Sequence, residues 1–303
     1  MQLALKIDVD TLRGTREGVP ALLDALQAAG ADATFLFSLG PDHTGRALRR
    51  VFRPGFFSKV ARTSVLEHYG LRTLLYGTLL PGPDIVREAG AIMRRVRDAG
   101  FEVGVHCFDH TAWQDFVARR DEAWTRAQML RAVLRFRDVF GDSPLVHGAA
   151  GWQMNRYVPG LEAQLGFRYA SDTRGAGPFV PLIGGTQSTV PQLPTTLPTL
   201  DELLGRADLA GVDPVDHLLA LSAASPARDQ VFTLHAELEG GKLLGSCERL
   251  LRAWQRCGTR LIDLATLMAG LDVASLPRCE ITAGSVAGRS GTLAVQSLAV
   301  ATP

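Results

Sequence analysis

Cysteines are few, and no two of them are close together. Cys107, Cys247, Cys257 and Cys279 form no CxxC pair. That excludes a disulfide scaffold and a zinc ribbon and favours a reducing compartment. Net charge is also lacking: 32 Lys and Arg against 31 Asp and Glu leave a formal +1. Without a global basic field the chain is not expected to bind nucleic acid. No GxGxxG follows the first apolar strand, which removes the main support for a dinucleotide-binding fold, and no P-loop motif occurs. There is no internal repeat. The longest charge-free run, Gly175 to Leu200, carries Pro178, Pro181, Pro191, Pro194 and Pro198, so it cannot be a membrane-spanning helix. Met1 to Asp8 has neither a basic leader nor a long apolar stretch. No signal peptide is expected, and the chain is placed on the cytoplasmic side.

What is present is a large apolar fraction, 46% of 303 residues with 21% charged, enough for an extensive core. Short apolar strands alternate with amphipathic helices. Strands are predicted at Leu3–Ile7, Ala33–Phe37, Phe101–His106, Pro144–Val146, Phe167–Ala170, Gln230–His235 and Arg260–Ile262. Helices are predicted at Arg16–Ala29, Asp84–Ala99, Asp121–Phe140, Asn155–Leu165, Ser246–Cys257 and Leu264–Ala269, several stopped by a glycine. Such alternation implies a parallel sheet. The fold class is α/β, a distorted (β/α) barrel of about seven parallel strands over residues 1–272. The 273–303 extension is less periodic and is expected on or beside the barrel. The Pro- and Gly-rich run at 175–200 reads as a long functional loop.

In a parallel barrel the C-terminal strand ends share one face, and that face carries the active site. Asp8 and Asp10 close the first strand, His106 closes a middle strand with His110 four residues on, and His235 closes a late one. One Asp with two His is a ligand set for a divalent cation with positions left open for water and substrate. A second carboxylate beside it can serve as base and a separate His as acid. Asp172 and Arg174 follow another strand, and Trp152 is a candidate for stacking on a sugar. Glu237 would share the face of His235 if that strand continued, and would orient the imidazole or a substrate amine. Cys107 is read as a small buried residue pointing away from the site.

One segment departs from the overall charge balance. Between residues 45 and 83 Arg46, Arg49, Arg50, Arg53, Lys59, Arg62 and Arg72 face a single acid, Glu67, a local +6 interleaved with Phe, Tyr and Leu. Basic heads among apolar bodies suit an anionic membrane surface. A membrane or phosphate contact is expected through Arg46, Arg49, Arg50, Arg53, Lys59 and Arg62.

Ile7-Asp8-Val9-Asp10-Thr11, His106-xxx-His110 and Leu234-His235 resemble the motifs of the polysaccharide deacetylase family, the NodB homology domain. Longer runs narrow the resemblance: Asp8 to Pro20, Phe37 to Asp42, Ser171 to Ala176, Thr196 to Thr199 and Leu234 to Gly240. They are similar to the branch that removes a formyl group from a 4-formamido-arabinose carried on undecaprenyl phosphate. That yields formate and the amino-sugar lipid used to modify lipid A against cationic peptides such as polymyxin. The resemblance implies Asp10, His106 and His110 as ligands of one divalent cation, Zn²⁺ by default, with Mn²⁺, Co²⁺, Ni²⁺ or Fe²⁺ as alternatives. It implies Asp8 as base and His235 as acid, and a place for Asp172 near the site. Its partners would be the lipid-linked formamido-sugar and the anionic inner membrane, approached peripherally; the oligomeric state is left open. The alternatives are a deacetylase of another N-acylated sugar and a non-catalytic binder of a lipid-linked sugar. The family's usual Arg after the fourth strand is missing, since the stretch reads Ala149-Ala150-Gly151-Trp152, and Arg174 is the suggested substitute.

Overall fold

The computed structural model describes residues 1–47, 72–224 and 229–299. Its strands are β1 (Gln2–Val9), β2 (Thr34–Ser38), β3 (Glu102–Cys107), β4 (Val146–His147), β5 (Tyr169–Ala170), β6 (Val180–Ile183), β7 (Thr186–Gln187), β8 (Gln230–His235), β9 (Arg260–Ile262), β10 (Arg278–Gly284) and β11 (Leu293–Ala299). The main helices are α1 (Val19–Ala29), α2 (Ile85–Asp98), α3 (His110–Phe116), α4 (Glu122–Phe140), α5 (Val158–Leu165), α6 (Leu200–Leu203), α7 (Pro214–Ala223), α8 (Ala236–Glu239), α9 (Leu244–Arg256) and α10 (Leu264–Ala269). No described helix is long and apolar enough to cross a membrane.

Seven strands form one parallel sheet in the order β5-β4-β3-β2-β1-β8, with β9 also on β1. Leu3 and Ala4 pair with both β8 and β9, so those strands flank opposite edges of β1. The β9 edge is then shared with β2, which takes over from Lys6 to Val9. This is the expected distorted barrel. Alternation decides its two faces. Leu3, Leu5, Ile7 and Val9 point outward into the core shared with α1, α2, α4 and α9. Ala4 points inward to Leu36, Val146, Val231 and Ile262, and Lys6, Asp8 and Asp10 continue that inward row. Each fully buried Leu, Ile or Phe on the outer face contributes about 1.5–3 kcal/mol.

The gap between β5 and β8 is filled by a segment of the predicted functional loop. Leu193 N–H donates to Ala170 O (2.7 Å) and Thr195 N–H to Thr173 O (3.0 Å) on one side. On the other, Thr196 N–H donates to Val231 O (3.0 Å) and Val231 N–H to Thr196 Oγ1 (2.9 Å). Prolines at 191 and 194 lack a donor, so the segment bonds like a strand at alternate points without becoming one.

The predicted Arg16–Ala29 helix opens instead as a wide turn at Gly14–Gly18 before α1. A Cβ on Gly14 would lie 1.9 Å from Glu237 Oε1; only glycine permits this approach. The 273–299 stretch, without clear periodicity, forms β10 and β11. They join β6 and β7 in a second sheet of order β11-β10-β6-β7, and Arg174 N–H donates to Ala294 O (2.9 Å) where β11 meets the barrel rim.

Candidate active site

Asp8 sits opposite His235 in the β1–β8 register, so a carboxylate and an imidazole stand side by side at the barrel mouth. His106 occupies the inward end of β3. His110 opens α3, whose start is fixed by Asp109 accepting Ala112 N–H (3.0 Å). Strand ends and a helix start thus bring four distant side chains together.

Asp10 is the hub. Its Oδ1 lies 3.2 Å from His106 Nε2 and its Oδ2 3.4 Å from His110 Nε2. The two rings stack with centroids 5.4 Å apart. One ligand atom from each of the three lies within 4.8 Å of the others. His106 Nδ1 is 2.7 Å from Gly148 O. That contact makes Nδ1 the donor and turns the Nε2 lone pair toward Asp10, the tautomer a metal requires. Burial opposes charge on Asp10, yet the imidazoles of His110 and His106, when they carry a proton in place of a cation, hold its carboxyl well below the ordinary range. Asp8 Oδ1 and Asp10 Oδ1 are buried without a hydrogen-bond partner. Unmet acceptors are rare in an interior, and here they converge where two imidazoles also point. The donor set fits a divalent cation.

Asp8 has a cation beside it that sequence reasoning missed. Lys6 is fully buried. Its Nζ lies 3.4 Å from Asp8 Oδ2, donates to Ser171 O (2.9 Å) and sits 5.2 Å from the Trp152 ring centroid. The signal was the i, i+2, i+4 spacing of Lys6, Asp8 and Asp10, which puts all three on one strand face.

His235 carries its ring edge-on to Trp152, centroids 6.1 Å apart. Its Nδ1 is buried without a hydrogen bond and faces Asp201 Oδ1 at 4.0 Å. Its backbone N–H donates to Glu239 Oε2 (2.7 Å). Burial, with Asp201 adding to it, pushes the Glu239 carboxyl up to about 8. Asp201 too was missed; it lies in α6, at the end of the proline-rich run, where no periodicity marks it.

Known proteins bear on this geometry. The polysaccharide deacetylase family model matches residues 4–170, more than half of the chain. The chain belongs to the polysaccharide deacetylase family. It is a hydrolase of amide C–N bonds. A relative from Shewanella sediminis (strain HAW-EB3), named probable 4-deoxy-4-formamido-L-arabinose-phosphoundecaprenol deformylase, is 34% identical over 98% of this chain and 95% of its own. One of the same name from Wigglesworthia glossinidia brevipalpis is 29% identical over 93% of this chain and 98% of its own. A solved structure from Mycobacterium smegmatis, named for the polysaccharide deacetylases, matches with TM-score 0.65 at 17% identity over 94% of each chain; it bears on the fold.

Within this polysaccharide deacetylase, other expected site residues sit elsewhere. Asp172 is fully buried. It accepts Ala149 N–H (2.7 Å) and the Gln192 side-chain amide (2.7 Å), so it braces the loop behind the site instead of meeting substrate. Arg174 does not substitute for the missing Arg: its guanidinium donates to Glu202, to Leu197 O (3.0 Å) and, at 3.4 Å, to Thr195 O. Lys6 is the cation at Asp8. Trp152 is 1% exposed with Lys6, Arg174 and Arg289 over its ring, so it forms wall and offers no open face to a sugar. Its left-handed backbone (φ 52°) is unusual for so bulky a residue. The strand ends at His235, so Glu237 falls in α8; its Oε1 accepts from Asp10 N–H (3.0 Å), Thr11 N–H (2.8 Å) and Thr11 Oγ1 (2.8 Å). It anchors the backbone that carries Asp10, and burial together with Asp10 pushes its carboxyl well up. Cys107 points outward as read, 3.3 Å from Ser38 Oγ, its thiol pushed well up by burial. Arg46 is tied to Gly77 O (3.1 Å). Arg49, Arg50, Arg53, Lys59 and Arg62 lie outside the described residues.

Proposed function

We propose that this hydrolase removes the N-formyl group of 4-deoxy-4-formamido-L-arabinose linked to undecaprenyl phosphate, releasing formate and the amino-sugar lipid. The reading rests above all on one observation: Asp10, His106 and His110 meet in a single group beside the Asp8–Lys6 pair, with His235 in register across the sheet. The full-length likeness to the Shewanella relative supports the choice of substrate. In this reading the enzyme serves lipid A modification and resistance to cationic peptides such as polymyxin. It works at the cytoplasmic face of the inner membrane, which the basic 45–83 segment would touch.

Asp10, His106 and His110 would hold one divalent cation, Zn²⁺ by default. Such an ion, when bound, acidifies a water and polarises a carbonyl. Asp8 accepts the proton of the attacking water. Lys6 holds the Asp8 carboxylate in place through the 3.4 Å contact. His235 delivers a proton to the departing sugar nitrogen, so that the C–N bond breaks to a neutral amine and formate. Gly148 O keeps His106 in its working tautomer, and Glu237 fixes the turn that presents Asp10.

The test is formate release from the formamido-arabinose lipid, with and without a chelator, beside the acetamido analogue. Chelator-sensitive release confined to the formyl compound is expected. Release of acetate alone would move the chain to deacetylation of another sugar, and chelator-independent turnover would remove the metal.

A further inference from the structure

We infer that Arg289, carried on the loop between β10 and β11, is a positioning residue of the active site and acts through Asp201 on His235. The inference rests on His235 serving as proton donor in the proposed reaction. It assigns a role to the C-terminal hairpin, which lies beyond the part of the chain matched by the family model.

The hairpin is held against the barrel at several points. Gln296 N–H donates to Arg174 O (2.8 Å), and the Gln153 side-chain amide donates to Thr292 O (2.6 Å). A Cβ on Gly288 would fall 2.2 Å from Glu202 O, and its φ is +83°. Only glycine brings the loop this close, and the next residue is Arg289.

From there the guanidinium reaches inward; the side chain is 12% exposed. Arg289 Nε donates to the fully buried Glu202 Oε1 (2.8 Å), and Nη1 lies 3.5 Å from Asp201 Oδ2. The plane sits 4.7 Å from the Trp152 ring centroid, the same ring whose edge meets His235. The other Asp201 oxygen faces His235 Nδ1 at 4.0 Å, while Thr199 Oγ1 holds that oxygen at 2.5 Å. Asp201 is therefore gripped at one oxygen by a cation and presents the other, which Thr199 holds, to a buried imidazole nitrogen without a hydrogen bond. A distance of 4.0 Å is too long for a hydrogen bond, and catalytic contacts that are long in an unliganded site commonly tighten when substrate binds. Arg289 sets where Asp201 stands, and Asp201 sets the orientation of the His235 ring. Planar, two-ended contact with carboxylates is the work Arg does and Lys does poorly.

The test uses the full chain with ¹⁵N-labelled histidine, reconstituted with Zn²⁺, which is diamagnetic. The His235 ring-nitrogen signals are followed at one pH in wild type, Arg289→Met, Asp201→Asn and the double variant. Steady-state turnover of the formamido-lipid is measured alongside. Both single variants should shift the His235 signals and lower kcat about 10- to 100-fold, with KM within about threefold. Arg289→Lys should recover part of the loss. The double variant should match Asp201→Asn, because one chain of contacts is cut twice. An unchanged His235 spectrum in Arg289→Met, losses that multiply in the double variant, or a loss confined to KM would overturn the inference. If Arg289→Met does not fold, Arg289→Gln is read the same way. A wild-type protein that releases no formate refutes the proposed substrate, while the His235 spectra still decide the role of Arg289.

Discussion

Two clusters in this barrel have nearly the same composition and opposite characters. Asp10, His106 and His110 form one; His147, Glu162 and Asp172 form the other, and in both the candidate ligand atoms lie within 4.8 Å. In the second, His147 Nδ1 stands 2.7 Å from Glu162 Oε1 and 2.9 Å from Asp172 Oδ1, and Asp172 takes two further donors from Ala149 and Gln192. Burial favours a neutral His147, yet Asp172 and Glu162 raise it to about 10. Burial and the neighbouring Asp172 push Glu162 well above its ordinary range, while His147 helps bring Asp172 down to about 2. The second cluster spends its protons on itself and is fully enclosed. In the first, His110 is 20% exposed and carboxylate oxygens are left without donors. Ligand-type residues in proximity are therefore not enough to mark a metal site; access to solvent, and imidazole–carboxylate distances of 3.2 and 3.4 Å against 2.7 and 2.9 Å, separate the two.

The contrast is easiest to break by substitution. Asp10→Ala or His106→Ala should abolish metal binding and cut hydrolysis on the order of 10³-fold or more, while leaving a folded protein. His147→Ala should do the reverse: metal stoichiometry by elemental analysis stays near wild type, and denaturant melts show a loss of about 3–5 kcal/mol, the effect of stranding buried carboxylates. Equal metal loss in both would erase the distinction.

Within the first cluster, Asp8→Asn should keep the metal and lose about 10²–10⁴-fold in kcat. Lys6→Met should lose about 10- to 100-fold and Lys6→Arg should regain some of it. Unimpaired turnover in Lys6→Met would return Lys6 to a structural role.

A smaller effect lies in the pH dependence. His147 is held at about 10 in the fold against 6.5 unperturbed, so the folded state binds that proton more tightly. Its contribution is complete below about pH 6.5 and fades as pH rises through about 10. Asp172, lowered from 3.8 to about 2, contributes above about pH 3.8 and loses that as pH falls through about 2. The stability gap between wild type and His147→Gln should therefore narrow toward alkaline pH. A gap constant from pH 6 to 10 would show that the imidazole is uncharged. Smallest of all, Cys107→Ala should cost about 1 kcal/mol and leave turnover unchanged, because its side chain faces the outer core.

Much of this site was legible from strand ends. Apolar alternation located β1, β3 and β8, and residues at or next to their C-terminal ends supplied Asp8, His106 and His235. The barrel followed from strands separated by helices. What escaped detection has physical reasons. Lys6 reads as an ordinary charge in a short strand until its row-mates are seen to be inward. Asp172 and Arg174 are near the site in sequence, but buried partners claim them. Asp201 sits on a four-residue helix after prolines, and Arg289 on a hairpin loop, where neither period 2 nor period 3.6 applies. Their relation to His235 exists only through contacts across 30 to 90 residues of chain, roughly the separation at which local pattern carries no information.

The proline-laced strip between β5 and β8 has its own consequence. A wall elsewhere stitched by continuous ladders is here held by a handful of spaced bonds. Sub-global opening begins where local bonding is sparse, so hydrogen exchange is expected to be fastest along the β8 side of this strip. The strip runs from the brace of Asp172 to the hydroxyl pair Thr195–Thr233 (2.7 Å). The prolines at 191 and 194 also remove donors that a foreign strand would otherwise recruit.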